Sequence, residues 1–241
     1  EIASCLVGSE MCIRDSRYTS LDLILLIQGG LCSRGDESEL QTNSCHGTNC
    51  YLVWDEFTKN AVCIDPGFAG RKIAMDIQKF GLKLKSIFIT HSHADHVSGI
   101  DDMCAAIETV PVIYMSKLEM MYEDFPFKKQ WGHSCHKRYW EEYSMVVIDS
   151  MQFKVIPTPG HSPGSVCIIT NKYLISGDLL TNDSIGRTDF IGGNVNDMFF
   201  SLEKVLKLSD SLIVLPGHGA VTTMEKIKNC NPYVKRILQK I

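Results

Sequence analysis

Six residues constrain this chain more than any other stretch. They are His91-Ser92-His93-Ala94-Asp95-His96, placed directly after the apolar run 87–89. Three imidazoles and one carboxylate, set where a strand gives way to a loop, offer ligands for a first-row metal on a rigid sheet edge. The sequence holds 8 His among 241 residues, so composition alone does not account for three of them in one such window.

Three further residues stand in the same kind of place. His161 lies in Pro159-Gly160-His161-Ser162-Pro163-Gly164 after the run 153–156, and Asp178 in Ser176-Gly177-Asp178 after 173–175. His218 lies in Pro216-Gly217-His218-Gly219 after 212–215. The repeated pattern is strand, glycine, polar side chain. Glycine permits tight turns and close backbone approach, which is what four separate loops need to reach one edge. Singly, each of these residues reads as a turn polar group; with the first cluster they read as ligands.

From residue 49 onward, short β-rich runs alternate with helical patterns. Strands are expected at 51–54, 61–64, 87–90, 112–115, 145–148, 153–156, 166–170, 173–176 and 212–215. Lys59-Asn60 and Asn171-Lys172 read as hairpin turns, so part of the sheet should be antiparallel. Helices are expected at 69–80, 97–107, 196–208 and 231–240, with Phe199, Leu202, Val205 and Leu206 on one buried face of the third. The combination implies an α/β layered domain. A block at 116–143, carrying Trp131, His133, Cys135, His136 and Trp140, reads as a helical insert or a lid. Residues 1–40 do not share these periodicities and read as an N-terminal extension, with 1–17 expected to be non-native. The domain proper is then 41–241.

Composition narrows the functional classes. Hydrophobic residues at 44% suffice for a core, and a net charge of −4 provides no basic field for a phosphate backbone, so nucleic acid is not an expected partner. The apolar run 23–27 falls far short of the roughly 20 residues of a spanning helix, so no membrane partner is expected. Ten Cys without CxxC pairs fit free thiols in a reducing, cytoplasmic setting.

With these motifs on the page, the sequence resembles the metallo-β-lactamase superfamily, whose HxHxDH signature stands here as His91, His93, Asp95 and His96, with later ligands matching His161, Asp178 and His218. The resemblance covers about residues 49–235. It implies an αβ/βα sandwich of two mixed β-sheets flanked by helices, with a metal site at one edge. It also implies that His91, His93 and His161 hold a first divalent ion, that Asp95, His96 and His218 hold a second, and that Asp178 bridges them. Asp95 and Asp178 are then the catalytic carboxylates. Zinc is the first choice of metal, with iron or manganese as alternatives, because imidazole suits all of them.

A narrower resemblance follows Asp178. Ser184-Ile185-Gly186-Arg187-Thr188-Asp189-Phe190 is similar to the S-x-G-R-T-D segment of glyoxalase II-like hydrolases and of persulfide dioxygenases. Arg187 and Asp189 read equally well as a mutually paired couple that fixes the loop, and stay outside the catalytic set. The closing Pro216-Gly217-His218-Gly219, Thr222-Thr223 and Asn231-Pro232 fit the single-domain glyoxalase II-like (hydroxyacylglutathione hydrolase-like) type. The activity this implies is hydrolysis of a small-molecule thioester of the hydroxyacyl-glutathione kind, by a metal-bridging hydroxide. The alternatives are a mononuclear iron persulfide dioxygenase using His91, His161 and Asp178, and a lactone or ester hydrolase. Substrate contacts from the 116–143 block would come from Lys128, Lys129, Lys137, Arg138, Tyr139 or Tyr143.

Overall fold

The computed structural model describes residues 2–7, 10–15, 22–28, 47–121, 132, 135–140 and 144–239. Strand pairing divides them into two sheets. The first runs in chain order through β1 (Ile2–Val7), β2 (Glu10–Asp15), β3 (Asp22–Gln28), β4 (Asn49–Asp55), β5 (Asn60–Ile64), β6 (Lys83–Phe88), β7 (Val112–Met115) and β8 (Lys137–Tyr139). The second has β9 (Met145–Ile148), β10 (Met151–Pro157), β11 (Val166–Thr170), β12 (Tyr173–Gly177), β13 (Ile213–Pro216) and β14 (Thr222–Thr223) in the reverse order. Both are mixed: β5 to β8 pair in parallel, as do β12 and β13, while the other neighbours are antiparallel.

Period-two alternation explains the layering. Every residue of β4 is buried, because both faces of the strand are covered. Tyr51 and Val53 point inward with Val62, Ile64 and Phe88 against Phe153, Val155, Ile168 and Ile175 of the second sheet. Cys50, Leu52 and Trp54 point outward, beneath Ile73, Ala74 and Ile77 of α1 (Gly70–Lys79) and Ile100 and Met103 of α3 (Ile100–Ile107). Leu174 and Val214 likewise face Met198, Leu202 and Val205 of α5 (Val195–Leu206), Ile227 of α6 (Met224–Cys230) and Val234 of α7 (Pro232–Leu238). The result is the expected α/β sandwich, helix to sheet to sheet to helix. Phe88 sits at its centre, edge-on to Phe153, Trp140 and Tyr114 at 4.9, 5.2 and 5.3 Å.

Two expectations need correction. The helix at 97–107 is two helices, α2 (Ala94–Val97) and α3, because Gly99 meets Gly67 and Gly70 backbone to backbone: a Cβ there would fall 2.7 Å from Gly67 O. Phe199 is 42% exposed on the flank of α5, and Met198 and Ser201 complete the buried face with Leu202, Val205 and Leu206. The described residues of the 116–143 block form the short α4 (Lys117–Met121) and then β8, which pairs in parallel with β7. Trp131, His133, Lys128, Lys129 and Tyr143 lie outside the described residues, as does most of the 1–40 extension. Lys137 donates to Gly132 O at 3.0 Å, and Arg138 lies over the Tyr114 ring. Cys50, Cys63, Cys104, Cys135, Cys167 and Cys230 are in no disulfide. No helix among the described residues is long and apolar enough to cross a membrane.

At the sheet end away from the histidines, Asp55 ties the two sheets together. Its carboxylate accepts from the Phe57 and Thr58 amides at 2.9 Å and from the Ser150 hydroxyl of the β9–β10 turn. The Ser150 bond, with these amides, holds its pKa down to about 2. A depressed carboxylate stabilises the fold above its ordinary pKa near 3.9, and that stabilisation disappears as pH falls through about 2. Asp55→Ala is therefore expected to lose about 1–3 kcal/mol at pH 7. Urea midpoints should show this gap closing as both proteins are taken from pH 4 toward pH 2.

Candidate metal centre

Parallel pairing builds the site. Strands that run side by side in one direction end at one edge, so the loops after β5 and β6 emerge together, as do those after β12 and β13. These loops carry Asp65, His91 to His96, Asp178 and His218, and the loop after β10 adds His161. The seven side chains singled out in the sequence all meet here. Three overlapping groups have donor atoms within 4.8 Å of one another: His91, His93 and His161; His91, His96 and Asp178; and Asp95, His96 and His218.

The donor geometry is specific to atoms. His161 Nε2 lies 2.8 Å from His93 Nδ1, and the rings of His91, His93 and His161 stand nearly perpendicular with centroids 4.5–4.7 Å apart. His218 Nε2 is 3.1 Å from Asp95 Oδ2 and 3.3 Å from Asp178 Oδ2, while His96 Nε2 is 3.3 Å from Asp178 Oδ1. Asp178 thus offers one oxygen toward His96 and the other toward His161 and His218.

Several of these buried atoms have no hydrogen-bond partner: His91 Nε2, His96 Nε2 and Asp178 Oδ1. An unsatisfied buried polar atom costs about 1–3 kcal/mol. Three of them converging within a set of imidazoles and carboxylates fit a divalent cation, which would accept all of their lone pairs. The backbone packs closely on the cluster: a Cβ on Gly217 would lie 2.3 Å from Asp178 Oδ1, so only glycine fits there. Gly177, with φ +47°, likewise brings its Cα against the Thr90 hydroxyl.

Charge within the cluster is divided unevenly. Burial, aided by the neighbouring imidazoles, holds His91 well below the usual histidine pKa and His93 at about 4. Burial would also lower His96, but the carboxylates of Asp178 and Asp65 outweigh it and raise the pKa well above the usual value. In His218 the bonds to Asp178 and Asp95 overcome burial and lift it to about 9. Burial opposes ionisation of Asp95 and Asp178, yet the same histidines bring Asp95 to about 2 and hold Asp178 well below the usual carboxylate range.

Outer partners set which nitrogen faces the cluster. His161 Nδ1 donates to Arg187 O at 2.8 Å, leaving Nε2 inward. His96 Nδ1 donates to Asp65 Oδ2 at 2.9 Å, and the same carboxylate accepts from the Thr90 amide and hydroxyl at 2.9 and 2.6 Å. Sequence reading missed Asp65. The signal was present, because Cys63-Ile64-Asp65-Pro66-Gly67 repeats the pattern of an apolar strand followed by a polar residue and glycine. It also missed Glu119, which is 1% exposed on α4, and Phe190, whose ring centroid lies 5.2 Å from that of His93 and 5.7 Å from that of His161. Arg187 and Asp189 form the bidentate couple anticipated from sequence, at 2.9 and 2.7 Å, with the guanidinium 4.4 Å over Phe190.

Comparison with known proteins agrees with this architecture. The sequence model of the metallo-beta-lactamase superfamily matches residues 44–218, and the chain belongs to that superfamily of metallo-hydrolases. Hydroxyacylglutathione hydrolase GloC of Haemophilus influenzae is 31% identical over 77% of this chain and 92% of its own. The crystal structure of TTHA1623 in a di-iron-bound form is similar at a TM-score of 0.66 and 32% identity, over 81% of this chain and all of that one (100%). The BLEG-1 B3 metallo-beta-lactamase superposes with a TM-score of 0.69 at 29% identity, covering 79% of this chain and 96% of its own.

A proton on His218 competes with a cation for Nε2. Since that pKa is raised to about 9, apparent metal affinity should climb by up to roughly tenfold per pH unit from pH 7 and level off above pH 9. Zinc titration in weakly buffered solution, with proton release followed at pH 7, checks this; uptake without proton release would contradict it.

Proposed function

We propose that this chain is a metal-dependent hydrolase of small-molecule thioesters, of the hydroxyacyl-glutathione type, working with two divalent ions. The observation that carries the reading is that seven donor side chains converge in three overlapping groups, with one oxygen of Asp178 toward His96 and the other toward His218. His91, His93 and His161 would hold one ion, Asp95, His96 and His218 the other, and the two oxygens of Asp178 would serve both. The likeness to GloC supports the thioester, and the likeness to a di-iron-bound protein supports two ions. Zinc remains the first choice, with iron or manganese as alternatives.

When bound, two such ions supply a water made acidic enough to act as a nucleophile near neutral pH and a Lewis acid for the substrate carbonyl. The chain's own residues do the rest. Asp95 and His218, with side chains 37% and 25% exposed, form the open side of the cluster, whereas His91 and His96 form its buried floor. A thioester entering there meets Phe190 at the first triad, an apolar wall for an acyl chain or a thiol stem. The leaving thiolate has an ordinary pKa near 8.5 and departs without a dedicated proton donor, consistent with a site built of ligands.

Persulfide oxidation at a single iron would need only His91, His161 and Asp178; the complete second triad favours hydrolysis. Lactone and ester hydrolysis would use the same cluster and is separated by substrate alone. His93→Ala and Asp178→Ala are each expected to lower kcat on a hydroxyacyl-glutathione thioester by about 100-fold or more, the scale of several kcal/mol of charge stabilisation. Metal analysis of the purified wild type accompanies the assay. Two ions with thioester turnover uphold the reading; one iron with oxygen uptake on a persulfide replaces it.

A further inference from the structure

Glu119 is buried on α4, and both of its oxygens are filled by donors from the two loops that carry the first triad. Oε2 accepts from the Ser92 amide at 2.8 Å and the Ser92 hydroxyl at 2.7 Å. Oε1 accepts from the Ser162 hydroxyl at 2.6 Å and the Gly164 amide at 2.7 Å. Ser92 lies between His91 and His93, and Ser162 follows His161. Three imidazoles from two distant loops are therefore referred to one carboxylate.

The arrangement has little slack. Ser162 is fully buried and shares its hydroxyl with Ser165 Oγ at 2.6 Å. A Cβ on Gly164 would fall 2.7 Å from Glu119 Cγ, so the 161–164 loop packs directly on the side chain. A buried carboxylate is costly unless its lone pairs are met, and charge-assisted bonds are about twice as strong as neutral ones. Two of the four donors are backbone amides, which cannot turn away. Glu119 belongs to none of the three donor groups of the cluster.

We propose that Glu119 is a positioning residue for the first triad: it locks the 91–93 loop against the 161–164 loop so that three imidazole nitrogens converge before an ion arrives. The inference rests on the reading of the cluster as a metal centre. It assigns no such part in the second triad, where Asp65 orients His96 and Thr48 reaches Asp95 at 3.2 Å.

Glu119→Gln keeps the volume and places an NH₂ where one oxygen stood. A serine hydroxyl can rotate to accept from it, but the backbone amide facing it loses its acceptor, and one loop is released. Loss of an outer partner typically costs 10- to 100-fold in metal affinity. The test uses the full chain as wild type, Glu119→Gln and Ser162→Ala. Each is titrated with Zn(II) against a chromophoric chelator, and anomalous diffraction assigns the ions to the triads. Glu119→Gln should weaken the first triad by about 10- to 100-fold while the second stays within about twofold, and Ser162→Ala should produce a smaller fall at the same triad. Unchanged affinity at both triads, or an equal fall at both, overturns the proposal. If Glu119→Gln does not fold, Ser162→Ala and Ser92→Ala carry the same comparison. A wild type that takes up no zinc at the cluster removes the metal-centre reading and this inference with it, an outcome distinct from a wild type that binds two ions and a variant that matches it.

Discussion

Two sheets on opposite sides of one core must present their loops in register, and the joint that secures this is Asn49. Its amide donates to Gly217 O at 2.7 Å, and its side chain donates to Pro216 O and Gly219 O at 3.0 and 2.8 Å. Tyr51, two residues along β4, adds a 2.6 Å bond to Pro216 O. Four bonds thus clamp the start of β4 in one sheet to the loop after β13 in the other, and that loop is the one carrying His218. All of them are buried at least in part, where a missing partner is expensive, so the position of His218 relative to His91 to His96 is fixed by the fold before any ligand contributes. On the other flank the Val166 amide donates to Thr90 O at 3.0 Å, which ties β11 to the turn that opens the histidine loop.

The cluster itself works against stability. Seven ionisable side chains share one edge, and burial disfavours charge on His91, His93, Asp95, His96, Asp178 and His218. The chain offsets this by pairing. Asp95 and Asp178 stay ionised because His96 and His218 are protonated beside them, and Asp65 stands behind His96 as a third carboxylate. His91 and His93 are kept neutral, with inward lone pairs. Such an arrangement makes poor use of a protein interior unless those lone pairs are put to work, which is the usual balance at functional sites.

Most of the sandwich could be read from the sequence because its strands are buried on both faces or alternate cleanly. The expected strands from 51–54 to 212–215 coincide with β4 to β7 and β9 to β13 within a few residues, and both hairpin turns fall where Lys59-Asn60 and Asn171-Lys172 placed them. β8 was not legible, since Lys-Arg-Tyr has no apolar alternation and is a strand only because β7 offers it an edge. The break between α2 and α3 was hidden because the apolar pattern continues across it, and only the approach of Gly67 and Gly70 shows why the helix stops. The seven clustered side chains were legible through their place after strands. Asp65 carried the same signal and was passed over, whereas Glu119 was not legible, because a buried acid with a structural task and a solvated one are the same letter. What separates them is the set of donors around them, which comes from loops far away in sequence.

The two triads differ chemically, and the difference follows from burial. His91 lies on the floor of the cluster, His93 is largely enclosed, and desolvation removes their extra protons, so no proton would have to leave either ring for a cation at neutral pH. His96 and His218 are surrounded by carboxylates, which hold protons on them, so a cation taken up there would have to displace those protons. The carboxylates that retain the protons also attract the cation, and exchanging one positive charge for another leaves their charges compensated throughout. Asp178 faces both triads and experiences both regimes. Its burial would favour the neutral acid, and only the positive charge on its neighbours keeps it an anion. The fold therefore supplies two sets of donors of unlike proton demand around one carboxylate, using loops that parallel strand pairing had already brought side by side.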